Sequence, residues 1–280
     1  MAKPTVSIVM PSFNQAQFLE EAICSILDQR DQLHEFIVLD GGSTDGSVEI
    51  IEKYADQIDH WQSKPDGGQS NAIIDGFSRV TGDVINWINS DDAILPGALY
   101  AIREQFAADP ELGLVEGNTV IVDADSAIIR CDRRAGPSRW WVKHGYLRSH
   151  QPSTFFRREL YEQSGGIDKD LHCTMDTDLW YRMIPRTKCV RMKRYIGVHR
   201  VHEDAKGESW DETYRTERLL LDERYPKLRK RPVLHQIGRL AYYATQATNG
   251  RSAGARQDTA QLAGEQLSRA FPDDTAALRP

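Results

Sequence analysis

Thr5–Met10 reads TVSIVM, Glu35–Asp40 reads EFIVLD and Asp83–Ile88 reads DVINWI. Each is a short run rich in β-branched and apolar residues. Continuous apolarity over so few positions predicts strands buried on both faces. The segments between them have another period. From Gln15 to Gln29 the apolar positions are Phe18, Leu19, Ala22, Ile23, Ile26 and Leu27. From Gln69 to Val80 they are Ala72, Ile73, Gly76, Phe77 and Val80. Both are helical spacings with one apolar face. Gly41-Gly42 closes the second strand, and Ser43 or Thr44 is placed to cap a helix running to about Tyr54. Ile58–Gln62 reads as a weaker strand, and Pro96 opens a helix to about Ala108. Strand and helix in alternation predict an α/β fold with a Rossmann-like, mainly parallel sheet flanked by helices.

Parallel sheets bind ligands outside the carboxyl ends of their strands. Here those ends carry Pro11-Ser12-Phe13-Asn14, Asp40-Gly41-Gly42-Ser43 and Asn89-Ser90-Asp91-Asp92, so the candidate site lies on that edge. Beyond Leu112 the texture changes. Leu114–Asp123 and Ala127–Cys131 read as strands flanking a turn. A Trp-rich connection leads to Ser153–Phe156, a helix near Glu159–Gln163 and another from about Met175 to Ile184. This second half is α+β in texture and continues the sheet with mixed strands. From Trp210 onward the chain reads as mainly helical and charged.

Composition removes several function classes. Lys plus Arg is 35 against 41 Asp plus Glu, a formal net charge of −6 in 280 residues. A dedicated duplex-DNA binder needs a basic excess to neutralise phosphates, so no nucleic-acid partner is expected. No apolar run approaches the ~18–20 residues of a membrane span, and Met1–Pro4 leads into no signal-peptide core. Cys24, Cys131, Cys173 and Cys189 lie far apart and form no C-x-x-C pair. They read as reduced thiols of a cytoplasmic protein rather than as a disulfide framework or zinc site.

Asp91 and Asp92 end a buried strand. Asn, Ser and Asp all favour turns, which is one reading of Asn89–Asp92. Two adjacent carboxylates at a strand end are costly, however, unless a cation or hydrogen-bond donors neutralise them. Oxygen ligands of this type suit Mg²⁺ or Mn²⁺, with a substrate phosphate completing the shell. The D-x-D spacing also occurs elsewhere. Asp123-Ala124-Asp125 sits between two strand-like runs and reads as a hairpin turn. Asp176-Thr177-Asp178 sits at a helix start, where the dipole favours acidic residues.

Taken together, SIVMPSFNQAQFLEEAICSILDQ, FIVLDGGSTDGS, PDGGQSNAIIDGF, TGDVINWINSDD and HQPSTFFRRELYEQSGGIDKDLHCTMDTDLWYRM, ending around VHRVHEDAKGES, resemble the inverting GT-A glycosyltransferases of family 2. The resemblance runs from Ser7 to about Ser209. It implies a GT-A catalytic domain over 1–224, with a nucleotide-binding half to about 112, an acceptor half over about 113–209 and a helical tail over 225–280. It implies a nucleotide-diphosphate sugar donor, a divalent metal, and a glycan or lipid-linked acceptor. Carried over residue by residue, Pro11, Phe13 and Asn14 would lie against the base and Asp40 would hydrogen-bond it. Gly68 and Asn71 would open a helix facing the diphosphate or sugar. Asp91 would approach the ribose or a metal-bound water, while Asp92 and His202 would hold the metal, with His199 competing for the histidine's role. His150 would stand near the donor sugar or the acceptor. Asp176 would be the general base, with Met175 in place of the usual preceding Glu, and Asp178 would be structural. The family usually has Asn where this chain has Asp75.

Two rival readings stand beside this one. A sugar-phosphate nucleotidylyltransferase would carry Arg and Lys in a Gly-rich stretch after its first strand, where this chain has Pro11–Asn14 and no cation until Arg30. A non-catalytic carbohydrate-binding or scaffold protein would have no need for Asp91, Asp92, Asp176 and His202 together. The tail from Arg224 to Thr248 combines Lys227–Arg231 with an apolar set at Leu234, Ile237, Leu240, Ala241 and Tyr242. A basic amphipathic helix of that kind suits either the inner face of a membrane or packing on its own catalytic domain or on another subunit of a homo-oligomer.

Overall fold

The first apolar run forms β1 (Val6–Ser12), buried at every position. The computed structural model describes residues 3–133, 136–144, 147, 149–203, 212–225 and 240. Helix α1 (Ala16–Leu27) turns Phe18, Leu19, Ala22, Ile23 and Ile26 inward. Then come β2 (Glu35–Asp40), α2 (Ser47–Lys53), β3 (His60–Ser63), α3 (Gln69–Arg79) and β4 (Val84–Trp87). These four strands are parallel, in the order β3-β2-β1-β4. Their register sets Ser12 beside Asp40, and Asp40 beside Ser63. The carboxyl ends are therefore level and form one polar edge.

The second half comprises β5 (Ala93–Ile94), α4 (Ala98–Ala108), β6 (Leu112–Val122), β7 (Ile128–Asp132) and α5 (Arg139–His144), then β8 (Thr154–Arg157), α6 (Arg158–Gln163), α7 (Met175–Met183), β9 (Lys188–Arg200) and α8 (Glu212–Arg224). It extends the same sheet as β4-β8-β6-β9-β5, with β7 paired to β6. Here the pairing is mixed: β8 is antiparallel to β4 and β6, while β9 is parallel to β6 and antiparallel to β5.

Successive strand residues point to opposite faces, so β1 feeds two cores. Val6, Ile8 and Met10 pack with α1 and α4, whereas Val9 packs with α3, α6 and α7. Each fully buried aliphatic side chain of these layers contributes ~1.5–3 kcal/mol. The second layer is aromatic at its centre, where Trp87, Phe77, Phe156, Tyr161 and Trp180 meet at ring distances of 4.9–6.4 Å. Gly76 brings α3 hard against β1, since a Cβ there would lie 2.4 Å from Val9 Cγ1. Any side chain at this position would lift the helix from the sheet.

Two local points differ from the sequence reading. Helix α2 begins at Ser47, later than Ser43 or Thr44, because Asp45 directs the turn: its Oδ1 accepts the Ser47 N–H and hydroxyl, and its Oδ2 accepts the N–H of Ala16. Ser43 instead donates its hydroxyl to Asp40. The longest strand, β9, has no counterpart in the sequence reading. Gly165 and Gly166, both at positive φ, close the end of α6 by donating to Glu162 and Tyr161 carbonyls. The Asp123–Asp125 turn is as expected, with Asp123 Oδ1 accepting the N–H of Asp125 and Ala127. The tail's basic cluster and its apolar face lie outside the described residues, apart from Leu240. Among the described residues no helix is long and apolar enough to cross a membrane.

Candidate active site

The polar edge begins with two loops bound to each other. Asn14 holds a left-handed backbone, φ 50°, which Asn tolerates better than most residues. Its N–H donates to Ser43 Oγ at 2.8 Å, and its Oδ1 accepts the N–H of Thr44 at 2.9 Å. Asp40 is buried beneath them. Its Oδ2 accepts the N–H of Gly42 and Ser43 and the Ser63 hydroxyl, and its Oδ1 accepts the Ser43 hydroxyl. Pro11 is buried at the end of β1, and Ser12 Oγ is buried with no hydrogen-bond partner among the described residues.

Above this floor Phe13 is 60% exposed. Core packing is thereby excluded for it. Its ring flanks Gly41: a Cβ built there would meet Phe13 Cδ2 at 3.2 Å and both Asp66 carboxylate oxygens at 3.4 Å. Asp66 Oδ1 accepts the N–H of Gly68, which precedes α3 at positive φ. Asn71 Nδ2 turns back to the Gly67 carbonyl. Asp75 is engaged on the outer side of α3 by Gln62 and Arg79. An exposed aromatic ring over a polar, glycine-lined floor suits a planar heterocycle.

The second cluster sits at the end of β4. Asp92 is 2% exposed, and its Oδ1 accepts the N–H of Arg200 at 3.0 Å and meets His199 Nδ1 at 3.1 Å. Asn89 Nδ2 reaches its Oδ2, and Gln69 donates to Asn89, so α3 is joined to the carboxylate. Asp91 Oδ2 lies 3.1 Å from His202 Nε2, whose ring packs on Phe18. Burial pushes the Asp92 pKa up, His199 opposes that, and the Asp91 charge adds to it. His150 pairs with Asp132 at 2.8 Å, and its ring centroid lies 5.8 Å from that of His199. Gln151 then ties this loop to Asn86 and the Trp87 carbonyl.

Arg200 organises the cluster. It is 1% exposed and donates to the Asp91 carbonyl, the Asp123 carbonyl, Ser126 Oγ and Glu21 Oε1. Its guanidinium also lies over the Phe18 ring, 4.8 Å from the centroid.

Carboxylate oxygens and imidazole nitrogens are suitable donors for Mg²⁺ or Mn²⁺. A cation would also offset the raised pKa of Asp92, which burial beside Asp91 makes costly to ionise. Among the described residues no three His, Cys, Asp or Glu side chains stand in a metal-ligand group. The donors therefore fit an ion that draws the rest of its shell from phosphate and water. They do not fit a closed structural zinc site.

Asp176 stands apart, in the first turn of α7. Its Oδ1 accepts the N–H and hydroxyl of Thr177, and among the described residues it makes no ion pair. Burial raises its pKa, and the opposing influences of Thr177 and Arg218 are weaker. Trp180, one turn on and on the same helix face, stacks on Trp87 at the end of β4. Asp178 points elsewhere. It is fully buried and bound by Arg182, Arg224 and the Tyr225 hydroxyl.

The structure thus gathers Pro11, Phe13, Asn14 and Asp40 at one loop pair, Gly68 and Asn71 beside it, and Asp91, Asp92, His150 and His202 at the end of β4. His199, the competitor for the role of His202, meets Asp92, and His202 meets Asp91. Asp66, Gln69, Asp132 and Arg200 escaped sequence reading. Only Asp66 and Gln69, in the polar run before α3, gave a local signal.

Known proteins share the sequence pattern and the fold. The glycosyl transferase family 2 profile matches residues 7–166, more than half of the chain. An uncharacterised protein of Mycobacterium tuberculosis is 26% identical over 217 residues, covering 71% of this chain and 68% of its own length. An uncharacterised glycosyltransferase of Rickettsia typhi is 27% identical, covering 71% of this chain and 65% of its own length. The chain therefore spans only about two thirds of the length of these relatives. Staphylococcus aureus TarS, solved with UDP-GlcNAc, shares the GT-A fold at a TM-score of 0.65 and 15% identity, over 98% of this chain and 83% of that one. On the profile match, the chain belongs to glycosyl transferase family 2.

Proposed function

We propose that this protein is a metal-dependent, inverting glycosyltransferase that moves a sugar from a nucleoside-diphosphate sugar to an acceptor hydroxyl of a glycan or lipid-linked glycoconjugate. The observation that carries the reading is the division of its carboxylates. Asp91 and Asp92 are paired with imidazoles at a strand end, where a diphosphate can be met. Asp176, desolvated and outside any ion pair among the described residues, is suited to accept a proton.

In this reaction the acceptor oxygen attacks the anomeric carbon as its proton passes to Asp176. The new C–O bond forms opposite the breaking bond, whose electron pair leaves with the nucleoside diphosphate. Inversion follows from that single displacement. Phe13 stacks on the base, with Pro11 and Asn14 shaping the loop that Asp40 holds from below. The α3 N-terminus, behind Gly68 and Asn71, faces the diphosphate. His150 lies on the sugar side of the cluster. When bound, Mg²⁺ or Mn²⁺ held through Asp91, Asp92 and His202 supplies charge neutralisation for the leaving group.

The test is a panel of nucleotide sugars with Mn²⁺ or Mg²⁺, scored for the phosphate product. UDP-GlcNAc comes first, because it is the ligand of TarS. Nucleoside diphosphate, with an inverted anomer in the product by NMR, supports the reading. Pyrophosphate points to nucleotidylyl transfer, and neither turnover nor donor binding points to a non-catalytic protein.

A further inference from the structure

The segment leading into helix α7 is held by another helix. Thr174, the N-cap residue of α7, makes no side-chain bond to the helix's own N–H groups. The three N–H groups just before the helix are taken by Glu217, on the distant helix α8. Glu217 Oε1 accepts the N–H of His172 at 2.6 Å. Its Oε2 accepts the N–H of Cys173 at 3.0 Å, and the N–H and hydroxyl of Thr174, both at 2.9 Å. Glu217 is 6% exposed. A carboxylate so buried is costly unless hydrogen bonds and a favourable dipole offset it, and here both are present.

The same segment is held from the opposite side. Ser70 Oγ, in the first turn of α3, donates to the Leu171 carbonyl at 2.5 Å. Residues 171–174 are therefore fixed between the helix assigned to the donor phosphates and α8. Leu221, Arg224 and Tyr225 complete the α8 contact by burial in the core, by the pair with Asp178 and by stacking on Tyr181.

We propose that Glu217 is a positioning residue for the transfer reaction: by binding residues 172–174 it sets where α7 begins, and so where the Asp176 carboxylate stands relative to the acceptor hydroxyl. This rests on the reading of Asp176 as general base. Asp176 follows the clamped segment by two residues, so a displacement of the clamp reaches it almost undamped. A misplacement of ~1 Å can cost ~10²-fold in rate.

The experiment compares Glu217→Gln, Thr174→Val, Asp176→Asn and the double variant Glu217→Gln/Asp176→Asn at a temperature where circular dichroism shows each folded. The substrate is whichever nucleotide sugar turns over in the panel above. Its nucleoside diphosphate serves for calorimetry. Gln keeps one acceptor oxygen and turns an amide N–H₂ against backbone donors, so kcat should fall ~10-fold or more. Donor KM and diphosphate Kd should stay within about twofold, because the α3 end is untouched. Thr174→Val, which loses one bond, should move kcat the same way by less. Adding Glu217→Gln to Asp176→Asn should leave the residual turnover unchanged, since Glu217 acts through Asp176. Wild-type kcat in folded Glu217→Gln overturns the inference, as does an equal fall in both backgrounds, which marks a general structural role. If Glu217→Gln does not fold, Thr174→Val at wild-type kcat overturns it. Active Asp176→Asn removes the base assignment and this inference with it, whereas inactive Asp176→Asn beside unaffected Glu217→Gln removes this inference alone.

Discussion

Trp87 and Trp180 lie face to face, their ring centroids 6.0 Å apart and their planes 14° from parallel. Trp87 is the last residue of β4, which leads into Asp91-Asp92, and Trp180 follows Asp176 by one helical turn. One aromatic contact therefore joins the strand that leads into Asp91-Asp92 to the helix that carries Asp176. Trp180→Ala should destabilise the protein by ~3–5 kcal/mol, the range for emptying a buried aromatic position. Trp180→Phe should recover much of that. Urea denaturation of the three proteins checks both statements, and equal stability of Trp180→Ala and wild type refutes them.

Phe13 offers the opposite case, a large aromatic side chain with little stability at stake. Phe13→Ala should leave the melting temperature nearly unchanged, because the ring is exposed. Donor affinity should fall by the ~1–3 kcal/mol of a base–aromatic stack, roughly 5- to 150-fold. Calorimetry with the free nucleoside diphosphate isolates that term from the sugar and acceptor.

Asp92→Asn keeps the shape of the side chain but removes its charge. Metal-supported turnover should fall at least ~10-fold, with a matching loss of Mn²⁺ affinity in the presence of nucleoside diphosphate. The comparison is a Mn²⁺ titration of both proteins, with chelator as the zero point. Undiminished turnover in chelator, together with full activity of Asp92→Asn, refutes the assignment.

For Asp176 the direction of the pKa shift has two consequences of opposite sense. Burial raises it, so the carboxyl ionises, and becomes able to act as a base, at a higher pH than an ordinary carboxylate. The acid limb of kcat should accordingly lie above the ordinary carboxylate pKa of about 4. For stability, a raised folded-state pKa means that the protonated form is favoured by folding and that ionisation costs stability as pH rises through it. Asp176→Asn should therefore be more thermostable than wild type at pH 7–8, an advantage that disappears below pH 4. Melting curves at the two pH values measure it.

Asp178→Asn should behave differently from its neighbour. It leaves Arg182 and Arg224 without their shared carboxylate, which should cost about 3 kcal/mol, the low end for breaking a buried pair, since both guanidiniums keep some solvent. Where the variant remains folded, kcat should stay within a few-fold of wild type. Low kcat at full stability would exchange the roles of Asp176 and Asp178.

What could be read from the residues alone depended on how local the determining physics was. EFIVLD matches β2 residue for residue, because a doubly buried run bounded by Gly41-Gly42 carries its whole signal within itself. Strand β9 could not be read so. Its first half mixes Lys188, Arg191, Lys193 and Arg194 with apolar residues, and its identity as a strand comes from pairing with β6, some seventy residues earlier. The same holds within the site. The strand-end carboxylates were visible as a motif, but the assignment of His199 to Asp92 depends on the β9 register. Asp45 outweighed Ser43 as the organiser of α2 because its two oxygens serve two helices at once. Glu217 has a faint signature, since Glu217, Leu221 and Arg224 share one helical face. Nothing in that spacing shows what the face covers.

The path of β9 also governs when the Asp91-Asp92 cluster is completed during synthesis of the chain. Asp92 waits for His199 across 107 positions, and the Asp91 carbonyl waits for Arg200 across 109. At ~5–20 residues per second, that interval is about 5–20 s of translation. The four parallel strands can pair long before it ends, with two adjacent carboxylates at their edge and their partners on β9 not yet made. The carboxylate cluster is therefore completed only when most of the described fold has left the ribosome, and a chain broken off between Asp92 and His199 carries the two carboxylates without these partners.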